Sequence, residues 1–95
     1  FKRPDIYIIT TEEEHLECSF KISESLRNNN FVVINDTLRR SLKSQMKDAN
    51  RLNVLYTIII GEDEIKSNKV TIKNMDKGSQ NQVPFNKINS YFLKK

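Results

Sequence analysis

Basic side chains are concentrated in one segment of this 95-residue sequence, residues 37–51. The segment holds five basic residues and a single acid, Asp48, so its charge of +4 equals the net charge of the whole chain. Four of the five recur at helical spacing (i, i+3, i+7 and i+11) and the fifth precedes them: Arg39, Arg40, Lys43, Lys47 and Arg51. Such a stripe is typical of phosphate and nucleic-acid binding. The alternative is the solvated face of an ordinary amphipathic helix.

Three consecutive carboxylates, Glu62, Asp63 and Glu64, follow Gly61 at the end of the most apolar run, Tyr56–Ile60. In open α/β sheets, ligands bind at the carboxyl ends of the strands. A carboxylate repels phosphate but accepts hydrogen bonds from N1 and N2 of guanine, so one acid beside a basic helix could recognise a base. The alternative is that the acids cap a short turn and face water, which we expect for Glu62 and Asp63. Glu64 stays the candidate.

Other chemistries lack the residues they need. His15 and Cys18 lie one helical turn apart, but two strong ligands do not complete a metal site and no third group orients them as a nucleophile pair. The only two glycines, Gly61 and Gly78, cannot build a phosphate-cradling glycine loop. A single cysteine excludes a disulfide framework and favours a reducing compartment. We therefore expect binding rather than catalysis, with no metal and no catalytic residue.

Buried strands are predicted wherever a short apolar run is rich in β-branched residues, at residues 5–10, 31–35 and 56–61. Two helical patterns lie between them. The alternation of strand and helix predicts three parallel strands with right-handed crossovers and helices on the sheet faces.

The first predicted helix begins at Thr11, whose spacing to Glu14 fits a capping box, and ends at three consecutive asparagines. Its inward face comprises Leu16, Ser19, Phe20, Ile22, Ser23 and Leu26. The second runs from Thr37 or Leu38 to Leu52. Its apolar stripe comprises Leu38, Leu42, Met46, Ala49 and Leu52.

The last third of the chain has a different pattern. Residues 69–74 alternate, with Val70 and Ile72 inward and Thr71 and Lys73 outward, and so predict a half-exposed strand. A turn with Gly78 at positive φ leads to an edge strand at residues 80–83, which Pro84 ends. A closing helix follows, capped by Asn86 and packed through Ile88, Tyr91 and Phe92.

One domain spanning residues 1–95 accounts for the whole pattern. No apolar run approaches the ~20 residues of a membrane helix, so no membrane association is expected. The sequence begins at Phe1, without an initiator methionine or a leader, which favours a domain excised from a longer chain.

Three motifs in order resemble the C-terminal anticodon-binding domain of histidyl-tRNA synthetases. They are Arg40-Ser-Leu-Lys-Ser-Gln45, Gly61-Glu-Asp-Glu64 and Val70-Thr-Ile-Lys-Asn-Met75. The likeness extends from about residue 5 to residue 93, and threonyl-, prolyl- and glycyl-tRNA synthetases carry a similar domain. The resemblance implies an α/β fold of three α/β/α layers, with a mixed five-stranded sheet (three parallel strands, then an antiparallel pair) and three helices.

The resemblance also implies an RNA site. In that family the anticodon is bound at positions that match Arg39, Arg40, Lys43, Glu64 and Lys73. We expect Arg39, Arg40 and Lys43, together with Lys47 from the basic stripe, to bind phosphates. Glu64 and Lys73 would meet splayed bases of the anticodon, which for histidine has guanine at its first and third positions. Family members often have glycine where this chain has Asn30, Arg39, Asn53 and Asn68. Asparagine adopts the same positive φ at modest cost, whereas arginine does so less easily.

The implied parent is a cytoplasmic, homodimeric histidine-tRNA ligase that binds ATP and Mg²⁺ in a separate catalytic domain. The 95-residue chain would then bind the anticodon stem-loop of tRNA, hold no cofactor and catalyse nothing by itself. One rival is a synthetase-like protein-interaction module of a regulatory kinase or polymerase subunit. Another is a small free-standing α/β enzyme, which the missing nucleophile, metal ligands and phosphate loop disfavour.

Overall fold

One five-stranded sheet organises the computed structural model, which describes residues 3–35 and 41–94. The strands are β1 (Ile6–Thr10), β2 (Val33–Asn35), β3 (Tyr56–Ile60), β4 (Lys69–Asn74) and β5 (Gln80–Pro84). The α-helices are α1 (Leu16–Asn28), α2 (Leu42–Arg51), α3 (Glu62–Ser67) and α4 (Ile88–Leu93), with single 3-10 turns at Glu13–His15 and Phe85–Lys87.

The strand order is β2-β1-β3-β4-β5. β1 pairs in parallel with β2 and β3, whereas β4 is antiparallel to both β3 and β5. The predicted mixed sheet, three parallel strands followed by an antiparallel pair, is therefore confirmed.

Helices cover both faces of the sheet, which confirms the three layers. On one face, Leu26 of α1 and Ile88 and Phe92 of α4 join a buried cluster with residues from every strand. Phe92 is its aromatic centre, with ring centroids 5.8 Å from Phe31 and 5.2 Å from Tyr56. On the other face, α2 packs on β1; the buried cluster there comprises Tyr7, Ile9, Ala49 and Val54.

The first helix begins later than the sequence predicts. The backbone N–H of Thr11 donates to the carbonyl of Ile60, so this residue continues the pairing of β1 with β3 instead of capping a helix. A 3-10 turn without a side-chain cap intervenes before α1 begins at Leu16. The predicted inward position of Phe20 is also wrong: 47% of this residue is exposed, because the face centred on Ser19, Ser23 and Leu26 turns it outward.

Of the other two predicted helices, one begins with a side-chain cap and the other begins without one. α2 begins at Leu42, and its cap is Ser41, whose hydroxyl accepts a hydrogen bond from the N–H of Ser44. Its predicted start at Thr37 or Leu38 lies outside the described residues. The predicted cap at Asn86 is wrong, because this residue lies inside the 3-10 turn and α4 begins without a side-chain cap.

Asparagine occupies left-handed backbone at three chain reversals. The φ angles are 72° at Asn30, 58° at Asn53 and 60° at Asn68, while Gly78 in the β4–β5 turn has φ 75°. The expectation that asparagine replaces glycine at these turns is confirmed. The turn after α3 brings β4 back alongside β3, so Thr71 on β4 lies close to Glu64 on α3.

Candidate nucleic-acid interface

The basic face of α2 points into solvent. Lys43, Lys47 and Arg51 are exposed, whereas Gln45 and Ala49 on the opposite side are buried. Arg51 pairs with Asp48, but neither Lys43 nor Lys47 forms an ion pair with any residue in the described part of the chain. Two lysine ammonium groups are thus available for phosphate. The other two predicted phosphate-binding residues, Arg39 and Arg40, lie outside the described residues.

A buried glutamine fixes α2 on the sheet. Gln45 accepts a hydrogen bond from the N–H of Thr10 (3.2 Å) and donates one to the carbonyl of Thr10 (3.0 Å). Both groups belong to the last residue of β1, so the first turn of α2 lies over the carboxyl end of the parallel strands. The sequence identified Gln45 as part of a motif but assigned it no role.

Glu64 is held by two hydrogen bonds. Its Oε1 accepts from the backbone N–H of Gly61 (3.0 Å), and its Oε2 accepts from the hydroxyl of Thr71 on β4 (3.0 Å). The expected turn after β3 is in fact the short helix α3, with Glu64 as its third residue. Glu62 and Asp63 are exposed, as predicted.

The predicted outward exposure of Thr71 is wrong, since only 9% of this residue is accessible. Thr71 does lie on the sheet face opposite Val70 and Ile72, but the Glu64 side chain reaches it. Lys73 lies two residues further along β4 on the same face of the sheet. It is partly exposed and lies opposite Gln80 in the register of β4 and β5.

An open groove of about 450 Å³ lies at the carboxyl end of β3. Its apolar lining includes Ile59 and Leu42, the first residue of α2, of which 42% is exposed. Glu64, Thr71 and Gln80 supply polar groups. Glu64, the predicted base-recognition residue, and the first turn of α2 therefore line the same concave surface.

The predicted lysines lie near this groove but do not line it. Lys43 follows Leu42 directly, and Lys47 lies one turn further along α2. Lys73 lies on the neighbouring sheet surface.

His15 and Cys18 have separate environments. His15 is buried; its Nε2 lies 3.7 Å from Oε1 of Glu14, and ligand atoms of Glu14, His15 and Glu62 lie within 4.8 Å of one another. Cys18 is not part of this group, and burial raises the pKa of its thiol, against a smaller lowering by Lys21. A raised thiol pKa disfavours a reactive thiolate. In the described part of the chain, no helix is long and apolar enough to cross a membrane.

Residues 5–95 match the family model described as an anticodon binding domain. The chain belongs to the anticodon-binding domain family. The histidine-tRNA ligase of Staphylococcus saprophyticus is 42% identical to it over 90 residues, which are 95% of this chain and 21% of that protein. The chain therefore spans about a fifth of the length of such relatives.

Solved structures share the fold of this anticodon-binding domain. Apo histidyl-tRNA synthetase of Staphylococcus aureus superposes with a TM-score of 0.87 at 33% identity, covering 95% of this chain and 23% of that one. The RNA binding domain of threonyl-tRNA synthetase from Cryptosporidium parvum gives a TM-score of 0.87 at 19% identity, covering 98% of this chain and 24% of that one. The second likeness shows the fold alone.

The resemblance to histidyl-tRNA synthetases is thereby confirmed. The sequence likeness to a histidine-tRNA ligase covers nearly the whole chain, so the comparisons do not favour a threonyl-, prolyl- or glycyl-type domain. Nor do they favour a protein-interaction module of a kinase or polymerase subunit.

Proposed function

We propose that this anticodon-binding domain belongs to a histidine-tRNA ligase and binds the anticodon stem-loop of its tRNA. The observation that carries the proposal is the fixed carboxylate of Glu64 in a groove beside a lysine-bearing helix. Apolar lining suits an unstacked base, a carboxylate suits its hydrogen-bond donors, and exposed lysines suit the backbone that leads to it.

Phosphates of the anticodon loop contact the basic face of α2. Lys43 and Lys47 are exposed and lack ion-pair partners among the described residues, so binding phosphate breaks no existing contact there. Arg39 and Arg40 precede them in the sequence and are proposed to extend the same phosphate contact. Lys73, on the neighbouring sheet surface, meets a second splayed nucleotide.

Glu64 recognises guanine. An ionised carboxylate accepts hydrogen bonds and donates none, so it complements the N1 and N2 donors of guanine and not the N1 acceptor of adenine. The histidine anticodon offers guanine at its first and third positions. The exposed acids Glu62 and Asp63 repel phosphate at this end of the groove and favour entry of the base edge.

The proposed parent ligates histidine to tRNA with ATP and Mg²⁺ bound in a catalytic domain outside this chain. The name of the relatives and the fifth of their length that this chain spans support that division. The described residues offer no glycine-rich loop for ATP phosphates, so nucleotide chemistry is assigned elsewhere. A homodimeric, cytoplasmic parent is part of the same proposal.

A titration with two RNA stem-loops tests the function. One carries the histidine anticodon and the other carries adenine in place of both anticodon guanines. We expect the first to bind at least about tenfold more tightly, because each well-paired base contributes about 1–3 kcal/mol of discrimination. Glu64→Gln should remove most of this preference without changing the salt dependence, since no phosphate contact is lost.

Glu24→Gln is the matched control, because it makes the same change from glutamate to glutamine at an exposed position of α1, outside the groove lining. It should keep the preference for guanine. Equal binding of both RNAs to the unmodified chain would contradict recognition of guanine. Binding that does not weaken as salt rises would contradict the phosphate contacts as well.

A further inference from the structure

The carboxylate of Glu64 is held from two sides. Gly61 N–H, at the end of β3, donates to Oε1, and the hydroxyl of Thr71, on β4, donates to Oε2, each at 3.0 Å. Thr71 is nine-tenths buried, so its hydroxyl lies in a packed position. Glu64 belongs to α3 and is hydrogen-bonded both to the end of β3 and to β4, so its side chain has little freedom to rotate.

There is no space for a larger residue than Gly61 beside the carboxylate of Glu64. A Cβ atom at Gly61 would lie 2.9 Å from Oγ1 of Thr11 and 3.0 Å from Oε1 of Glu64. A Cβ atom rarely comes within about 3 Å of another heavy atom, so both contacts would be too close. The close approach of Glu64 to the backbone therefore depends on glycine at this position. Thr71 is therefore the side-chain partner that orients the other oxygen.

The hydrogen bonds already made determine what the carboxylate can still accept. Each carboxylate oxygen has two acceptor positions. Gly61 occupies one on Oε1 and Thr71 occupies one on Oε2, which leaves one on each oxygen. Guanine presents its N1–H and an N2–H side by side on its Watson–Crick edge, and two adjacent acceptors match this pair.

We propose that Thr71 is a positioning residue for guanine recognition, and that its hydroxyl sets the plane of the Glu64 carboxylate so that both oxygens meet one base. This inference rests on the proposed function and adds to it the way the acceptor pair is oriented. The last torsion of a glutamate side chain is broad. Without the Thr71 hydroxyl, Glu64 keeps its bond to Gly61 but its Oε2 no longer has a fixed direction.

The test compares guanine with inosine at the anticodon positions, because inosine keeps N1–H and lacks the N2 amino group. The ratio of the two dissociation constants thus reports the second hydrogen bond alone. For the unmodified chain we expect guanine to bind about tenfold more tightly than inosine. Thr71→Val has nearly the same shape without the donor and should reduce this ratio at least about threefold.

Thr71→Ser is the matched control, because it restores the hydroxyl and should restore the ratio. A purely structural role for Thr71 would weaken both RNAs equally and leave the ratio unchanged, which would overturn the inference. If Thr71→Val does not fold, as judged by its thermal unfolding curve, Thr71→Ala decides by the same ratio.

Glu64→Gln separates the two levels of the proposal. If Glu64→Gln abolishes the preference for guanine over inosine while Thr71→Val leaves that preference intact, base recognition by Glu64 stands and the positioning role of Thr71 is overturned. If Glu64→Gln itself leaves the preference intact, guanine recognition by Glu64 fails, and the positioning role fails with it.

Discussion

The two faces of the sheet differ in how far their helices cover them. On the face under α1 and α4, every strand contributes a buried apolar side chain, from Val33 on β2 to Val83 on β5. On the face under α2, the buried apolar strand residues come from β1, whereas β4 carries Thr71 and Lys73 there and β5 carries Gln80. One face is thus a complete core, and the other is a core on one half and an uncovered polar surface on the other.

If RNA binds as proposed, stability and binding depend on opposite faces of the sheet. Two helices cover the complete face, so polar residues there would be costly. A single helix, α2, covers part of the second face, so β4 and β5 can carry polar side chains there without burying them in an apolar core. The largest losses of stability should therefore come from the first face and the largest losses of RNA binding from the second.

The largest effect on stability is expected from Phe92→Ala. Phe92 contacts Phe31, Tyr56 and Tyr91 on the complete face, and its removal should lower the free energy of unfolding by about 3–5 kcal/mol. Urea unfolding measures the loss. Exposed Phe20→Ala is the matched control, with an expected loss below about 1 kcal/mol. Similar losses for the two variants would remove the distinction between complete core and surface.

A smaller effect, confined to binding, is expected from Lys43→Ala combined with Lys47→Ala. The double variant should weaken RNA binding about tenfold and lower the slope of log K against log salt by about 1–2, because two phosphate contacts are lost. Its free energy of unfolding should change by less than about 0.5 kcal/mol.

Lys21→Ala is the control for this pair, because Lys21 is also an exposed lysine but lies on α1 and pairs with Glu17. It should leave RNA affinity nearly unchanged. If Lys21→Ala weakens RNA binding as much as the double variant of α2 does, RNA binds through the general positive charge of the domain and the basic face of α2 has no special role.

The smallest effect is expected at Asp76, which belongs to neither face. Hydrogen bonding to Arg3, aided by the guanidinium charge, holds the pKa of Asp76 below its ordinary 3.8 despite a smaller opposing effect of burial. The lowered folded-state pKa means that the stabilisation is present above about pH 4 and is lost as pH falls through the folded pKa.

Urea unfolding of Asp76→Asn between pH 2 and 6 measures this contribution. The variant should be slightly less stable than the unmodified chain at pH 6, and the two should converge at pH 2. A stability difference that does not change with pH would contradict the ion pair with Arg3. RNA binding should be unaffected at neutral pH.

Apolar runs and alternation predicted the strands and their order along the chain. The predicted apolar stripe of α2 is right at Ala49, which is buried, but wrong at Leu42, of which 42% is exposed. Gln45 is buried there instead, because its side chain hydrogen-bonds to Thr10, which an apolar pattern cannot reveal.

Periodicity missed α3, since the six residues of that helix, Glu62–Ser67, contain one apolar side chain and no amphipathic pattern. It also assigned Thr71 to solvent, because strand alternation identifies a face and does not reveal that Glu64 covers it. Glu64 itself was found from a motif, whereas its hydrogen-bond partners depend on tertiary structure.

The left-handed asparagines have a consequence for the unfolded chain. Asn30, Asn53 and Asn68 adopt backbone angles that glycine reaches without strain, so folding stores a small steric cost at each turn. A disordered chain with asparagine there samples fewer backbone conformations than one with glycine, so it loses less entropy when the turns form. The two terms oppose each other, and three reversals of the chain are obtained with little net change in the free energy of folding.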